Sequence, residues 1–187
     1  MATQVRLFIS GGPDQEPARE MIGRALAAEL PVKVGWNIKR TPDVDSVAEC
    51  HLYVLLLGSD IWAPVGLEAW WAARTEKPIL AYAGQQLRTP SGQVFYQEHA
   101  GLDWTRFVNL TDLRRSLLGD IGRFLLMNAE RYGVTVLEAE ALRFFINKLK
   151  ESTAAVATPE PAGAGGGGVI LAPGKDQPAG AQVVGEA

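Results

Sequence analysis

Leu52-Tyr53-Val54-Leu55-Leu56-Leu57-Gly58-Ser59-Asp60-Ile61-Trp62 decides the fold of this chain. Six consecutive apolar residues that stop at a glycine read as a short strand covered on both faces, since a half-exposed strand would alternate. Pro64-Val65-Gly66-Leu67-Glu68-Ala69-Trp70-Trp71-Ala72-Ala73-Arg74-Thr75-Glu76-Lys77-Pro78 follows as a helix with one carboxylate, Glu68, expected at its start. Pro78-Ile79-Leu80-Ala81-Tyr82 is then another apolar strand. A carboxylate above the carboxyl end of a parallel sheet stands where open α/β folds bind ligands.

Working outward, Val5 to Ser10 is a second buried strand, broken by Gly11-Gly12-Pro13-Asp14, with Asp14 placed to cap the next helix. Ala18, Met21, Ile22, Ala25, Leu26 and Leu30 recur at helical spacing, Pro31 stops that helix, and Val32 to Trp36 reads as a strand. Asp43 to Cys50 is expected to be a short helix leading into Leu52. Ala83 to Gly101 holds Gly84, Pro90, Ser91 and Gly92 and reads as a long loop with room for a short helix near Phe95. Arg106 to Leu110 is the expected fifth strand. Thr111 then caps a helix marked by Leu113, Leu117, Leu118, Ile121, Phe124 and Leu125, which Gly133 ends.

Thr135 with Glu138 forms a Thr-x-x-Glu capping box for a last helix carrying Leu142, Phe145, Ile146 and Leu149 on one side. That side serves either to pack on the domain or to dock a partner or a second copy. The expected fold is α/β, a doubly wound, mainly parallel five-stranded sheet of flavodoxin type with helices on both faces. It occupies residues 1–131, followed by the C-terminal amphipathic helix at 132–151 and an Ala/Gly/Pro-rich tail at 152–187. Such a tail is expected to be disordered, since it holds too little apolar surface to offset its ordering entropy. Within it Val169-Ile170-Leu171 is an isolated apolar patch, either part of the tail or a strand-like peptide for a partner's sheet edge.

Composition narrows the function. Of 187 residues, 47% are apolar and 21% charged, which suits a globular core. A net charge of -3 offers no basic surface for nucleic acid or an anionic membrane. The apolar run at Leu52 is far shorter than the ~20 residues a membrane span requires. The start of the chain lacks the pattern of a signal peptide, and the single cysteine, Cys50, suits a reducing compartment, so a cytoplasmic protein is expected. His51, His99 and Cys50 do not combine into a metal set or a nucleophile triad, so no metal is expected.

In a sheet of this type the ligand crevice lies between the loops after the first and third strands. Those loops are Ser10-Gly11-Gly12-Pro13 and Gly58-Ser59-Asp60-Ile61-Trp62. Ser10, Gly11, Gly12, Gly58, Ser59, Asp60 and Trp62 are therefore the candidate ligand-binding residues. The first loop reads equally as a phosphate-accepting helix start or as a tight strand-to-helix turn, and it matches neither common glycine-rich nucleotide fingerprint. Placed in a first helical turn, Glu68 would be held ionised by the helix dipole, a state suited to stabilising or attacking positive charge. Trp62 is a stacking platform for a flat ring, Trp36 is expected to end the second strand, and Trp70 or Trp71 at helical spacing is expected in the core.

These residues also carry a family resemblance. Leu7-Phe8-Ile9-Ser10-Gly11-Gly12-Pro13, then Glu49-Cys50-His51-Leu52-Tyr53-Val54-Leu55-Leu56-Leu57-Gly58, then Glu68 with Lys77-Pro78, resembles the TIR-like and nucleoside 2-deoxyribosyltransferase-like superfamily, in particular its bacterial TIR-like branch, DUF4062. The likeness spans about residues 5–110. It implies a TIR-like fold, a nucleoside or nucleotide ligand such as NAD, and cleavage of an N-glycosidic bond as in an NAD nucleosidase or a deoxyribosyltransferase. Glu68 is the position that matches the family's catalytic glutamate, and Asp60, at altered spacing, the aspartate that precedes it. No cofactor is implied, because NAD would be the substrate. Loss of nicotinamide leaves an oxocarbenium-like ribosyl centre and a neutral ring, so one ionised carboxylate can suffice. The resemblance equally implies signalling or bacterial-defence roles in which the domain senses a nucleotide or serves as a non-catalytic adaptor for a protein partner or a second copy.

Overall fold

Five parallel strands form the centre of the computed structural model, which describes residues 4–157 of the chain, with side chains described through residue 151. They are β1 (Gln4–Gly11), β2 (Gly35–Arg40), β3 (Leu52–Leu57), β4 (Ile79–Gly84) and β5 (Trp104–Phe107), in the spatial order β2-β1-β3-β4-β5. The helices are α1 (Glu16–Ala28), α2 (Val44–Glu49), α3 (Ala63–Arg74), α4 (Pro90–Glu98), α5 (Leu110–Met127), α6 (Ala129–Tyr132) and α7 (Val136–Ala157). This is the doubly wound α/β fold, with its change of direction between β1 and β3.

Alternation along the strands divides the core in two. Leu7 and Ile9 of β1 and Leu52, Val54 and Leu56 of β3 face a layer built from α1, α5 and α7, where Ile22, Leu26, Leu117, Ile121 and Leu142 are buried. Phe8 of β1 and Tyr53, Leu55 and Leu57 of β3 face α2, α3 and α4 through Val47, Val65, Ala69, Ala72 and Phe95. With helices over both faces, all six residues of β3 are buried, and each such leucine contributes about 1.5–3 kcal/mol.

Several boundaries differ from the sequence reading. β2 runs from Gly35 to Arg40 rather than over Val32 to Trp36, so Trp36 lies near the start of the strand and pairs with Val5. It is an edge strand, half-covered and polar, held by pairing with β1, so its own apolar residues are a poor guide. β5 likewise lies a little earlier than Arg106 to Leu110. The expected loop after β4 contains α4, a full helix that Thr89 caps by accepting a hydrogen bond from the Gly92 N–H. Asn109, not Thr111, caps α5, because its side chain reaches the Asp112 N–H at 2.9 Å. That helix ends at Met127, and Gly133, in the left-handed conformation, closes the short α6 instead.

The capping box opens α7 as expected: Glu138 accepts from the Thr135 N–H at 2.9 Å, and Thr135 Oγ1 accepts from the Glu138 N–H at 3.3 Å. Leu142 and Ile146 then bury against α5, so this helix packs on the domain. The approach is close. A Cβ at Gly122 would lie 3.1 Å from Ile146 Cδ1. Val169-Ile170-Leu171 and the tail lie outside the described residues.

Candidate functional site

Glu68 sits deeper in its helix than the sequence reading places it. α3 begins at Ala63, with Pro64 in its first turn, so Glu68 falls in the second turn and the dipole of the helix start acts on it only weakly. It shares the inward face of α3 with Val65, Ala69 and Ala72, and its side chain is 0% exposed. A buried carboxylate must be hydrogen-bonded, and this one is.

Three donors from three parts of the chain converge on it. Ser10, at the carboxyl end of β1, donates its hydroxyl to Glu68 Oε2 at 2.5 Å. Thr41, just past the end of β2, donates to the same oxygen at 2.7 Å. The Asp43 N–H, at the start of α2, donates to Oε1 at 3.2 Å. Thr41 Oγ1 in turn accepts from the Gly11 N–H at 3.2 Å. An acceptor met only by donors is the hydrogen-bond complement of a carboxylate.

The surroundings hold the donors in place. Asp43 caps α2 by accepting from the Ser46 N–H and hydroxyl, and the Ser46 hydroxyl lowers the Asp43 carboxyl below its usual range. Arg19, buried beside Glu16, donates to the Thr41 carbonyl at 3.4 Å. Tyr53, stacked on Phe8 with ring centres 5.7 Å apart, has a buried hydroxyl with no hydrogen-bond partner of normal geometry. Burial drives its phenol far up, and the nearby Ser10 hydroxyl offsets that only in part.

A second cluster binds the loops above the sheet to one another. Asp14 does not cap α1. Its Oδ2 accepts from the Ser59 N–H at 2.9 Å and the Ser59 hydroxyl at 3.2 Å, joining the loop after β1 to the loop after β3. Asp60 Oδ1 accepts from the Thr89 hydroxyl at 2.5 Å, and the Ser59 carbonyl accepts from the Thr89 N–H, which adds the loop after β4. Gly58 leaves the space that Asp14 and Gln15 occupy, since a Cβ there would lie 1.8 Å from Asp14 Oδ2.

The candidate residues thus separate into two groups. Ser10 and Gly11 join Glu68 in the buried cluster, whereas Ser59 and Asp60 belong to the loop clasp, with Gly58 beneath it. Gly12 and Trp62 are neighbours above the crossover, where a Cβ on Gly12 would come within 4.0 Å of Trp62 Cβ. Trp62 is 42% exposed. Trp70, expected in the core, is instead 51% exposed and lies under the Arg74 guanidinium, while Trp71 packs half-buried against the second core. Trp36 stands at the amino end of the sheet, away from this site. Cys50 and His51 also lie there, immediately before β3.

Thr41, Asp43 and Tyr53 were missing from the sequence reading of the site. The apolar run around Tyr53 predicts only strand core there. Thr41 and Asp43 reach the site because β2 ends at Arg40, four residues beyond the end that its apolar pattern predicts at Trp36. Among the described residues no group of three or more His, Cys, Asp and Glu side chains gathers as a metal site, and no helix is long and apolar enough to cross a membrane.

No protein-family model matches this chain, and no curated protein does. Among solved structures it is similar to the CMP N-glycosidase BcmB of Clostridium botulinum, with 16% identity and a TM-score of 0.44, over 60% of this chain and 97% of that one. A likeness of that size bears on neither the ligand nor the residues that would hold it.

Proposed function

We propose that the domain binds a nucleoside or nucleotide, such as NAD, at the carboxyl ends of β1 and β3 and breaks its N-glycosidic bond, with Glu68 as the working carboxylate. One observation carries this reading. A single, fully buried carboxylate lies at the crossover of a doubly wound sheet, oriented by Ser10, Thr41 and the Asp43 N–H.

In the reaction the C1′–N bond breaks and its electron pair leaves with the base. Glu68 stabilises the ribosyl cation, water adds to C1′, and the spare proton of that water passes to the base or to solvent. Nicotinamide leaves as a neutral ring and needs no acid. Ser10 and Thr41 are positioning residues, since they hold Glu68 rather than the sugar. Because Glu68 is fully buried, substrate reaches it only when its surroundings open, and Thr41 and the Asp43 N–H would have to release it.

The test is to incubate the protein with NAD and with a panel of nucleosides and nucleoside 5′-monophosphates, and to measure free base by chromatography. Glu68→Gln should lower release on the order of 10²-fold or more at equal folded fraction. Release indistinguishable from that of Glu68→Gln, or absent throughout the panel, would overturn the enzymatic reading.

The enclosure of Glu68 favours a second reading, a non-catalytic interaction module in which the carboxylate only ties α3 to β1 and α2. Val136, Leu137 and Phe144 of α7 remain exposed after Leu142 and Ile146 have packed, and they supply the docking face. Phe144→Glu should then abolish self-association or partner capture without changing the melting temperature. Unchanged association would remove that surface from consideration.

A further inference from the structure

At the carboxyl ends of β4 and β5, away from Glu68, lies an open cavity of about 490 Å³ lined by Gly84, Gln85, Arg88, Gln93, Tyr96 and Arg106. Its lining includes no carboxylate. Arg88 donates from Nη2 to the Gly84 carbonyl at 2.8 Å and lies 4.4 Å above the Tyr96 ring centre. Its Nε is buried and has no hydrogen-bond partner. Arg106 reaches the Tyr96 hydroxyl, Nη2 to Oη at 3.4 Å. Tyr96 thus contacts both guanidinium groups, and all three residues line the cavity.

Among the described residues Arg6, Arg19, Arg24, Arg40, Arg114, Arg115 and Arg123 each stand within 4.0 Å of a carboxylate, whereas Arg88 and Arg106, like Arg74, Arg131 and Arg143, do not. The buried Arg88 Nε–H is costly without an acceptor, and an anion between the two guanidinium groups would supply one. Arginine forks fit phosphate oxygens two at a time, and the Gln85 and Gln93 amides add neutral donors and acceptors beside them. The cavity is also too large for a lone phosphate, as ligand sites of about 300–1,000 Å³ take a whole small molecule.

We propose that this cavity binds a phosphate monoester of a polar small molecule, its phosphoryl group held between Arg88 and Arg106. The site stands whether or not Glu68 breaks a glycosidic bond. It turns an acidic chain locally positive, and the carboxyl end of the sheet is where such a fold admits a ligand.

Isothermal titration calorimetry at fixed ionic strength tests it, with inorganic phosphate, ribose 5-phosphate and ribose as probes. Ribose 5-phosphate should bind saturably and more tightly than phosphate, and ribose should not bind. Arg106 is exposed, so Arg106→Gln should fold normally, as a thermal melt will check, and should weaken ribose 5-phosphate at least tenfold. Arg24→Gln removes the same charge from the surface of α1 and should change affinity less than twofold. Phosphate binding as tightly as ribose 5-phosphate would overturn the monoester assignment. Equal losses in the two variants, or no saturable binding of either phosphate, would overturn the site.

Discussion

Thr41 has one hydroxyl proton and two oxygens within reach, Glu68 Oε2 at 2.7 Å and Ser10 Oγ at 3.2 Å. Glu68 Oε2 is the nearer acceptor and takes the Thr41 proton as well as that of Ser10, while the Gly11 N–H donates to the Thr41 oxygen. Thr41→Val keeps the shape and removes both roles at once. It should cost about 1–3 kcal/mol in urea unfolding, the range for a buried polar group left without its partner, and Thr41→Ser should recover most of that. A loss below about 0.5 kcal/mol, the scatter of ordinary surface substitutions, would mean the cluster is not rigid. Cys50 is a simpler case. Burial pushes its thiol up to about 11, so at pH 8 it should react with a thiol reagent only as fast as the protein opens, and mild denaturant should raise the rate steeply. Fast labelling of the native protein would contradict its burial. Glu68 was visible in the sequence as one carboxylate in a suggestive segment. Its partners were not, because Ser10 and Thr41 are 58 and 27 positions away from it, and nothing local in either residue marks the meeting.

At the scale of elements, the start of α7 shows what a local pattern does reveal. Thr135 and Glu138 are three residues apart, and the capping box needs only that spacing. The tertiary addition is the Lys33 N–H, which donates to Glu138 Oε1 at 2.9 Å and ties the approach to β2 onto the helix. The Thr135 backbone, then the Lys33 backbone, holds the Glu138 carboxyl below its ordinary value of 4.5. A depressed carboxyl adds stability above its unfolded pKa and loses it as pH falls through the folded one. Glu138→Gln should therefore lower the melting temperature at pH 7, and the gap from wild type should shrink as pH falls below about 4.5. A gap independent of pH would show that charge plays no part. β2 marks the opposite limit. Its backbone pairs from Gln4↔Gly35 to Ile9↔Arg40, and at a sheet edge such pairing makes a strand from residues whose own pattern favours their apolar neighbours. Asp14 was read as a cap for a similar reason: position allowed it, but a partner across the crossover, Ser59, took the carboxylate.

At the scale of the molecule, the described residues form one sheet, two apolar layers and a carboxyl end on which both polar sites depend. α7 belongs to the first layer through Leu142 and Ile146, with Gly122 letting it come close to α5. Ending the chain after Gly133 should therefore uncover the face of α5 around Gly122 on which Leu142 and Ile146 pack, reduce cooperativity and create dye-binding apolar surface. A truncated protein that melts as the full chain does would make α7 an appendage. The amino-acid sequence by itself determined the α/β class, the buried β1 and β3, the amphipathic α5 and α7 and the crossover that draws attention to Glu68. Those features come from hydrophobic periodicity and short-range capping, which neighbouring residues settle among themselves. Only the tertiary structure decided where β2 ends, which donors enclose Glu68, that Asp14 ties two loops together and that Arg88 and Arg106 share one tyrosine. Apart from the two Tyr96 contacts, which span eight and ten residues, each of those rests on groups distant in the chain that the register of the sheet brings together.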